Sequence, residues 1–406
     1  MNPIAVRLRK AAQAALRDAE FQAACSGLGA TVEAVVLGDG AEPTTVHMGG
    51  AERVRLSAAP DIWEYIAQPI PRPGWHSFAA ASRQPGFTVE ADAVARAQAL
   101  HAIERWFEIL RGQIDAGAQD FIDRQHLTGS YALVRGLTGG RAVSLFHESV
   151  SRTDAPALLM LHTAGADGRQ YHALMADKKL QRHWSLHAFD MPGHGRSDPL
   201  PGEGWEGYRL RRDWYAEICV AFVAQVLRRP VVVMGCSMGA AMALHLAREA
   251  PEWILGAVAL EAPLRSPGRR TPLLAHAQVN QAAHNPSYVR GLLAPGSPLS
   301  HRRYAAWIYS QGGYGIYPGD LAFYSDDFDA ERDVAGLDGR ERPIELLTGS
   351  YDHSATPADS RAVARMIPGA RFTEMPELGH FPMTENPAAL LRHLHPALTH
   401  IAGRLA

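Results

Sequence analysis

The sequence predicts two domains. A small α+β domain occupies residues 1–113, a linker follows at 114–126, and residues 127–406 form an α/β domain with a doubly wound, mostly parallel sheet and a helical cap at about 263–340. Three observations lead there. The chain's 406 residues are more than one hydrophobic core usually organises. From about Thr128, short apolar runs of strand length alternate with helical stretches, as in a sheet covered on both faces. Third, Val231–Leu244 passes from a β-branched run through Gly235-Cys236-Ser237-Met238-Gly239 into good helix formers, giving strand, tight turn and helix in that order.

The first domain opens with a helix to about Ala24, in which Arg7, Arg9, Lys10 and Arg17 alternate with alanine and leucine. It lacks the unbroken apolar stretch of a secretion signal. Ala30–Leu37 and Thr44–Met48 read as a hairpin around Gly38-Asp39-Gly40, Val54–Leu56 adds a strand, and Pro60–Ile66 starts a helix that Pro69, Pro71 and Pro73 break. After Phe87–Asp92, the spacing of Leu100, Ile103, Trp106, Phe107 and Leu110 gives a long helix one apolar face. This order of elements resembles the sterol-carrier-protein-2-like domain over about residues 1–113. The resemblance implies an apolar tunnel that accepts lipids or other hydrophobic molecules; a packing or dimerisation module is the alternative.

In the second domain Tyr131–Val134 and Ala142–Phe146 flank Gly139-Gly140 as a hairpin. Ala157–Leu161, Leu186–Asp190, Val231–Met234, Ala257–Leu260, Ile344–Leu347 and Arg371–Met375 are the other strands, with helices at Arg212–Leu227, Met238–Glu249 and Asp359–Met366. The stretch from Leu260 to Pro343 is too long for a connection and reads as a cap, with helical pieces at Ala275–Ala283, Tyr288–Leu293 and His301–Ser310. It carries Trp307, Tyr309, Tyr314, Tyr317, Phe323 and Tyr324, rings that either line an apolar acyl pocket or pack the cap onto the domain.

A serine presented on a strand-to-helix turn, with the helix's first N–H groups beneath it, is placed to attack a carbonyl, so Ser237 is the candidate nucleophile. Such a serine needs a base, an acid to orient the base and an oxyanion site. Among 19 histidines, His380 follows the last strand in Leu378-Gly379-His380, where the glycine lets the backbone turn the ring; it is the candidate base. Asp352, in the loop after Ile344–Leu347, is the candidate acid. Its alternative role is to cap a turn before Pro357, and Glu261, directly after Leu260, is the rival acid. The small loop His162-Thr163-Ala164-Gly165 offers the Ala164 amide as one oxyanion donor, and the Met238 amide, directly after the nucleophile, is the other. His162 is expected to brace that loop. Arg169 and Arg302 are candidates for meeting a substrate carboxylate.

Together these segments resemble the α/β-hydrolase family over about residues 127–406. The matching motifs are the His162–Gly165 loop, Asp190-Met191-Pro192-Gly193-His194-Gly195-Arg196-Ser197, the Ser237 turn, and the Asp352 and His380 loops, in the order serine, acid, histidine. The resemblance implies a capped Ser-His-Asp hydrolase of esterase or meta-cleavage-hydrolase type, with the Asp190–Ser197 loop shaping the site from below. Thr163 departs from the glycine the family often has after that histidine. Serine at 237 separates the chain from the dehalogenase and epoxide-hydrolase branches, which use aspartate there.

Composition narrows the partners. With 47% hydrophobic and 20% charged residues and a formal net charge of -2, the chain is an ordinary globular protein without the basic field that would draw nucleic acid or an anionic membrane. No apolar run approaches the roughly 20 residues of a membrane span. Cys25, Cys219 and Cys236 show neither a disulfide framework nor metal spacing, so a reducing cytoplasm is the expected compartment and neither metal nor cofactor is expected. The expected activity is hydrolysis of a carboxylic ester or lactone of a small, apolar or aromatic substrate through an acyl-enzyme. Hydrolysis of a carbon-carbon bond in a diketone from aromatic breakdown is the alternative within enzymes, and non-catalytic lipid binding the alternative outside them. The sequence leaves homo-oligomerisation open.

Overall fold

The structure, a computed structural model, describes residues 2–405 apart from 39, 41, 115–120 and 201–206. Asp39 of the expected hairpin turn and residues 115–120 of the expected linker therefore lie outside the described residues. Contacts within the chain divide it into two units, Met1–Gln119 with Pro272–Ser310, and Asp120–Thr271 with Gln311–Ala406.

The first unit holds β1 (Ala30–Val36), β2 (Thr44–His47), β3 (Glu52–Ala58) and β4 (Phe87–Glu90) in the order β2-β1-β3-β4. β1 and β2 form the antiparallel hairpin, and β3 runs parallel to β1. The opening helix is two helices, Pro3–Ala15 and Ala19–Cys25. Asp18 leaves helical geometry and its carboxylate accepts the Phe21 N–H at 2.8 Å, starting the second helix with an N-cap. Between the sheet and the helix Ala93–Leu110, the rings of Trp63, Phe78, Phe87, Trp106 and Phe107 pack edge to face with centroids 5.6 to 6.5 Å apart. They fill this interior with side chains.

The expected cap divides. Pro272–Ser310 groups with the N-terminal residues and not with the rest of 127–406. Charge is the physical reason. Arg290 donates to Glu20 and Glu108, Arg303 donates to Glu20 at 2.9 Å, Arg302 donates to Gln113 at 2.8 Å, and the Ser77 hydroxyl donates to the Gly291 carbonyl at 2.6 Å. Here a short turn at Pro272–Ala275 precedes the helices Gln281–Arg290 and Leu299–Tyr309. The first of these runs through Pro286, where two separate pieces were expected.

The second unit holds β5 (Thr128–Leu137), β6 (Arg141–Val150), β7 (Ala157–Leu161), β8 (Ser185–Phe189), β9 (Val231–Cys236), β10 (Ile254–Leu260), β11 (Ile344–Gly349) and β12 (Arg371–Met375). They form one eight-stranded sheet in the order β12-β11-β10-β9-β7-β8-β6-β5. β7 to β12 are parallel, and the β5–β6 hairpin joins β8 antiparallel at one edge. β7, β9 and β10 are buried along their length apart from one half-buried position, matching their apolar sequences. The direction of winding reverses between β7 and β9. The carboxyl ends of these two strands frame the crevice in which doubly wound sheets bind ligands.

Candidate active site

β9 delivers Ser237 to a turn that only small neighbours allow. Ser237 has φ 56° and ψ -113°, outside the regions open to most residues, and its N–H donates to the Leu260 carbonyl at 2.9 Å. A Cβ at Gly235 would lie 2.1 Å from the Gly239 carbonyl carbon, and one at Gly239 would lie 2.2 Å from the Leu161 carbonyl oxygen. Three backbone segments thus meet at van der Waals limits, and glycine at both positions is what lets the helix Met238–Glu249 begin directly after the serine.

The three sequence-predicted side chains Ser237, His380 and Asp352 come together, each nearly fully buried. Ser237 Oγ is 2.9 Å from His380 Nε2, and His380 Nδ1 is 2.6 Å from Asp352 Oδ2. A carboxylate only accepts, so Nδ1–H donates to it and Nε2 of the neutral ring accepts from the serine hydroxyl. The Gly379 and Phe381 amides on either side of His380 both donate to Glu385 Oε1 at 3.1 Å, which fixes the ring's backbone. Asp352 makes the contacts of both readings. Oδ2 takes the imidazole, while Oδ1 accepts the Ser354 and Ala355 amides at 2.6 and 3.1 Å. The rival acid, Glu261, is fully buried and receives the Gly349 N–H at 3.1 and 3.0 Å. Burial, together with the neighbouring Asp352 carboxylate, pushes its carboxyl well above the ordinary range.

On the other side of the serine lies the loop after β7. Gln170 Oε1 accepts the Thr163 N–H at 3.1 Å and Asp320 Oδ2 accepts the Gly165 N–H at 2.7 Å. The Ala164 amide between them has no acceptor among the described residues. Met238 N–H is the first of its helix and by position lacks an intrahelical acceptor. Both amides are those the sequence points to as oxyanion donors. His162 braces the loop: Nδ1–H donates to the Thr163 carbonyl at 2.9 Å and Nε2 accepts the Met191 N–H at 3.0 Å. Burial pushes its pKa down to about 4, so the ring is neutral. Asp320 also receives His194 Nε2 at 2.8 Å and the Tyr208 hydroxyl at 2.7 Å.

The two arginines proposed for a substrate carboxylate have carboxylates of their own chain. Arg169 pairs with Asp167, and Arg302 with Glu108 in the first unit. Sequence reasoning passed over Gln170, Asp320 and Glu385, which act on the loops from sequence-distant positions and belong to no local pattern. Tyr324 was visible only as one aromatic among six; it is buried, with its hydroxyl beside Ser237. An apolar cavity of about 430 Å³ lies over Pro192, Gly193, Leu200, Tyr208, Tyr314 and Ile316, next to the Asp320 clamp. Among the described residues no group of three or more His, Cys, Asp or Glu side chains is placed to hold a metal ion. None of the described helices is long and apolar enough to cross a membrane.

The sequence profile of the alpha/beta hydrolase family matches residues 158–393, more than half of the chain. A pimeloyl-[acyl-carrier protein] methyl ester esterase of Chromobacterium violaceum is 26% identical over 267 residues, covering 62% of this chain and 97% of that protein. The enzyme of the same name from Aeromonas salmonicida is 35% identical over 97 residues, covering 24% of this chain and only 34% of that protein. Among solved structures, the enol-lactonase from Burkholderia xenovorans LB400 superposes with a TM-score of 0.54 at 20% identity, covering 66% of this chain and 100% of that one.

Proposed function

The chain belongs to the alpha/beta hydrolase family, and from that membership we propose that it is a serine hydrolase cleaving a carboxylic ester or lactone of a small, apolar or aromatic substrate through an acyl-enzyme. The observation that carries the reading is the unbroken hydrogen-bond chain from Ser237 through His380 to Asp352. Ser237 Oγ attacks the carbonyl carbon as His380 Nε2 takes its proton, and Asp352 holds the ring and stabilises the imidazolium. The Ala164 and Met238 amides receive the carbonyl oxygen as its negative charge grows. His380 then protonates the leaving oxygen, and a water that His380 deprotonates releases the acyl group as the acid. The esterase relatives favour an ester, and the cavity over Pro192 and Ile316 suits an apolar portion of the substrate. Cys25, Cys219 and Cys236 are free thiols, in keeping with a reducing cytoplasm. For residues 1–113 the sterol-carrier-protein-2-like reading rests on element order and implies a site for a hydrophobic molecule, with a packing or dimerisation module as the alternative.

A serine-directed fluorophosphonate tests the proposal. We expect it to label the wild-type chain at Ser237 and to leave Ser237→Ala unlabelled. A wild-type chain that stays unlabelled under native conditions overturns the hydrolase reading. A ring-cleavage diketone turned over far faster than a nitrophenyl ester moves the reaction to carbon-carbon bond hydrolysis.

A further inference from the structure

Beside the Ser237 hydroxyl lies the hydroxyl of Tyr324, and beside Tyr324 that of Ser266; the mechanism above uses neither, and both residues are 3% exposed. The Tyr324 phenol neighbours both serines, yet among the described residues neither it nor Ser266 Oγ makes a hydrogen bond of proper geometry. Native proteins rarely leave a buried phenol unsatisfied, and such a group next to a reactive atom asks for an absent partner.

The backbone around Tyr324 is shaped to put it there. Ala322–Asp327 continues the helix Ile316–Leu321 as a wide turn, closed by the Phe328 N–H donating to the Phe323 carbonyl at 2.8 Å, a winding often found at functional sites. Phe323 anchors the turn edge-on against Tyr215 and Phe328, at 5.6 and 6.1 Å. Asp320, one turn before Tyr324, clamps the Gly165 amide. One helical segment therefore serves both the oxyanion loop and the serine.

The direction of approach identifies what the phenol meets. Arg269 N–H donates to Ser325 Oγ at 3.1 Å, the Arg269 guanidinium donates to the Ser354 carbonyl at 2.9 Å, and Ser354 N–H donates to Asp352 at 2.6 Å. These contacts tie the Tyr324 turn to the Asp352 loop, the side of Ser237 on which His380 is held. The oxyanion amides come instead from the loop after β7 and from the helix start. A leaving oxygen must be within reach of His380 Nε2 to receive its proton, so it lies on the His380 side.

Resting on the hydrolase reading, we propose that Tyr324 is a catalytic residue that donates a hydrogen bond to the leaving oxygen of the ester or lactone. When the tetrahedral intermediate collapses, the bond between the carbonyl carbon and the leaving oxygen breaks with its electron pair going to that oxygen. His380 Nε2 transfers its proton there and becomes neutral, while Tyr324 keeps its own proton and shares it through the hydrogen bond. Burial raises the phenol's pKa above its ordinary value, so it remains a donor.

Tyr324→Phe removes only the oxygen. Its kcat/KM is compared with wild type on two esters of one acyl group, an alkyl ester with a poor leaving group and a 4-nitrophenyl ester with a good one, alongside the rate of fluorophosphonate labelling and the thermal unfolding midpoint. We expect a loss of about 100-fold on the alkyl ester and less than about 3-fold on the nitrophenyl ester, because a donor to the leaving oxygen matters in proportion to the charge that oxygen must carry. Labelling at close to the wild-type rate shows that the variant is folded and its serine intact. Equal losses on the two esters, or no loss on either, overturn the proposal and leave the hydrolase reading standing. A wild-type chain that neither labels nor turns over either ester overturns both.

Discussion

The acid cluster of the N-terminal unit and three buried groups of the eight-stranded unit are held in different states. In the first, Glu108 receives Arg105 at 2.9 Å, Arg302 at 3.4 Å and Arg290. Burial works against its charge, and the three guanidinium groups outweigh burial and hold its carboxyl below the ordinary range. Glu20 behaves alike, with His101, Arg290, Arg105 and Arg303 set against burial. At three buried groups of the second unit burial wins instead. His162 and His187 are pushed down to about 4, and Glu261 is pushed well up, so these groups are neutral near pH 7. A charge-paired cluster has its donors and acceptors committed to one another and serves the fold.

The largest expected effect breaks the chemistry of one unit and nothing in the other. Ser237→Ala and Asp352→Asn each lower kcat/KM by about 10⁴-fold or more on any ester the wild type cleaves, with amide exchange of the first unit unchanged. Next is the charge cluster. Glu108→Ala leaves the guanidinium groups of Arg105, Arg290 and Arg302 without their shared partner and costs the first unit about 3–5 kcal/mol. Hydrogen exchange reads this as lost protection in Ala93–Leu110 and Gln281–Arg290 while β9, β10 and β11 keep theirs. Equal loss in β9 to β11 would mean that the two units do not open separately, and the contrast between them would fail.

Acid titration separates the two signs of shift that burial produces. His162 and His187 have folded pKa values near 4 against an ordinary 6.5, so the unfolded chain binds more protons between those values and stability falls with falling pH across that window. The loss is about 2 kcal/mol for each ring by pH 5. In the first unit Glu104 has the opposite sign. Burial lifts its carboxyl from 4.5 to about 7, so the native state takes up the proton first and gains stability as the pH drops through 7. Glu20 and Glu108 withdraw their support only as the pH falls below their ordinary carboxylate range. In the second unit Glu261 and Asp190, also lifted by burial, share the sign of Glu104 and oppose the two histidines, so the histidine contribution is isolated by His187→Gln, which should lose about 2 kcal/mol less stability than wild type between pH 7.5 and 5. An unchanged pH dependence in that variant would show that the buried ring is not an acid-sensitive element.

How much of this was readable beforehand depended on whether a residue's role is local. β7 and β12 occupy the expected residues because apolar runs bounded by turn residues carry their own signal. Ser237, Asp352 and His380 stand at strand ends in recognisable loops, and Ala164 and Met238 follow from them. The split of the cap was not readable. It depends on Arg290 and Arg302 meeting Glu20 and Glu108, pairs separated by roughly half the chain or more, and nothing in the 272–310 sequence distinguishes those arginines from solvated ones. Asp18 could have been found, since an aspartate three residues before Phe21 in a weakly apolar stretch is an N-cap signature. Asp320 and Gln170 could not, because each reaches a backbone amide whose position only the folded sheet defines.

The smallest expected effect concerns the two carboxyl groups that compete in the sequence for the same histidine. Asp352 holds Nδ1 of His380, and Glu261 sits behind it, accepting the Gly349 N–H and lying against Asp352. Two carboxylates this close in a dry site do not both ionise; the one with the weaker set of donors keeps the proton. Asp352 has the imidazole and two backbone amides, whereas Glu261 has a single amide shared between its oxygens. Glu261 is therefore the protonated partner, and glutamine reproduces it: the amide oxygen accepts from Gly349 and the NH₂ donates toward Asp352. Glu261→Gln should change kcat by less than about 3-fold, because it replaces one neutral hydrogen-bonding group with another. A loss approaching that of Asp352→Asn would instead place the negative charge on Glu261 and make it the acid that orients His380.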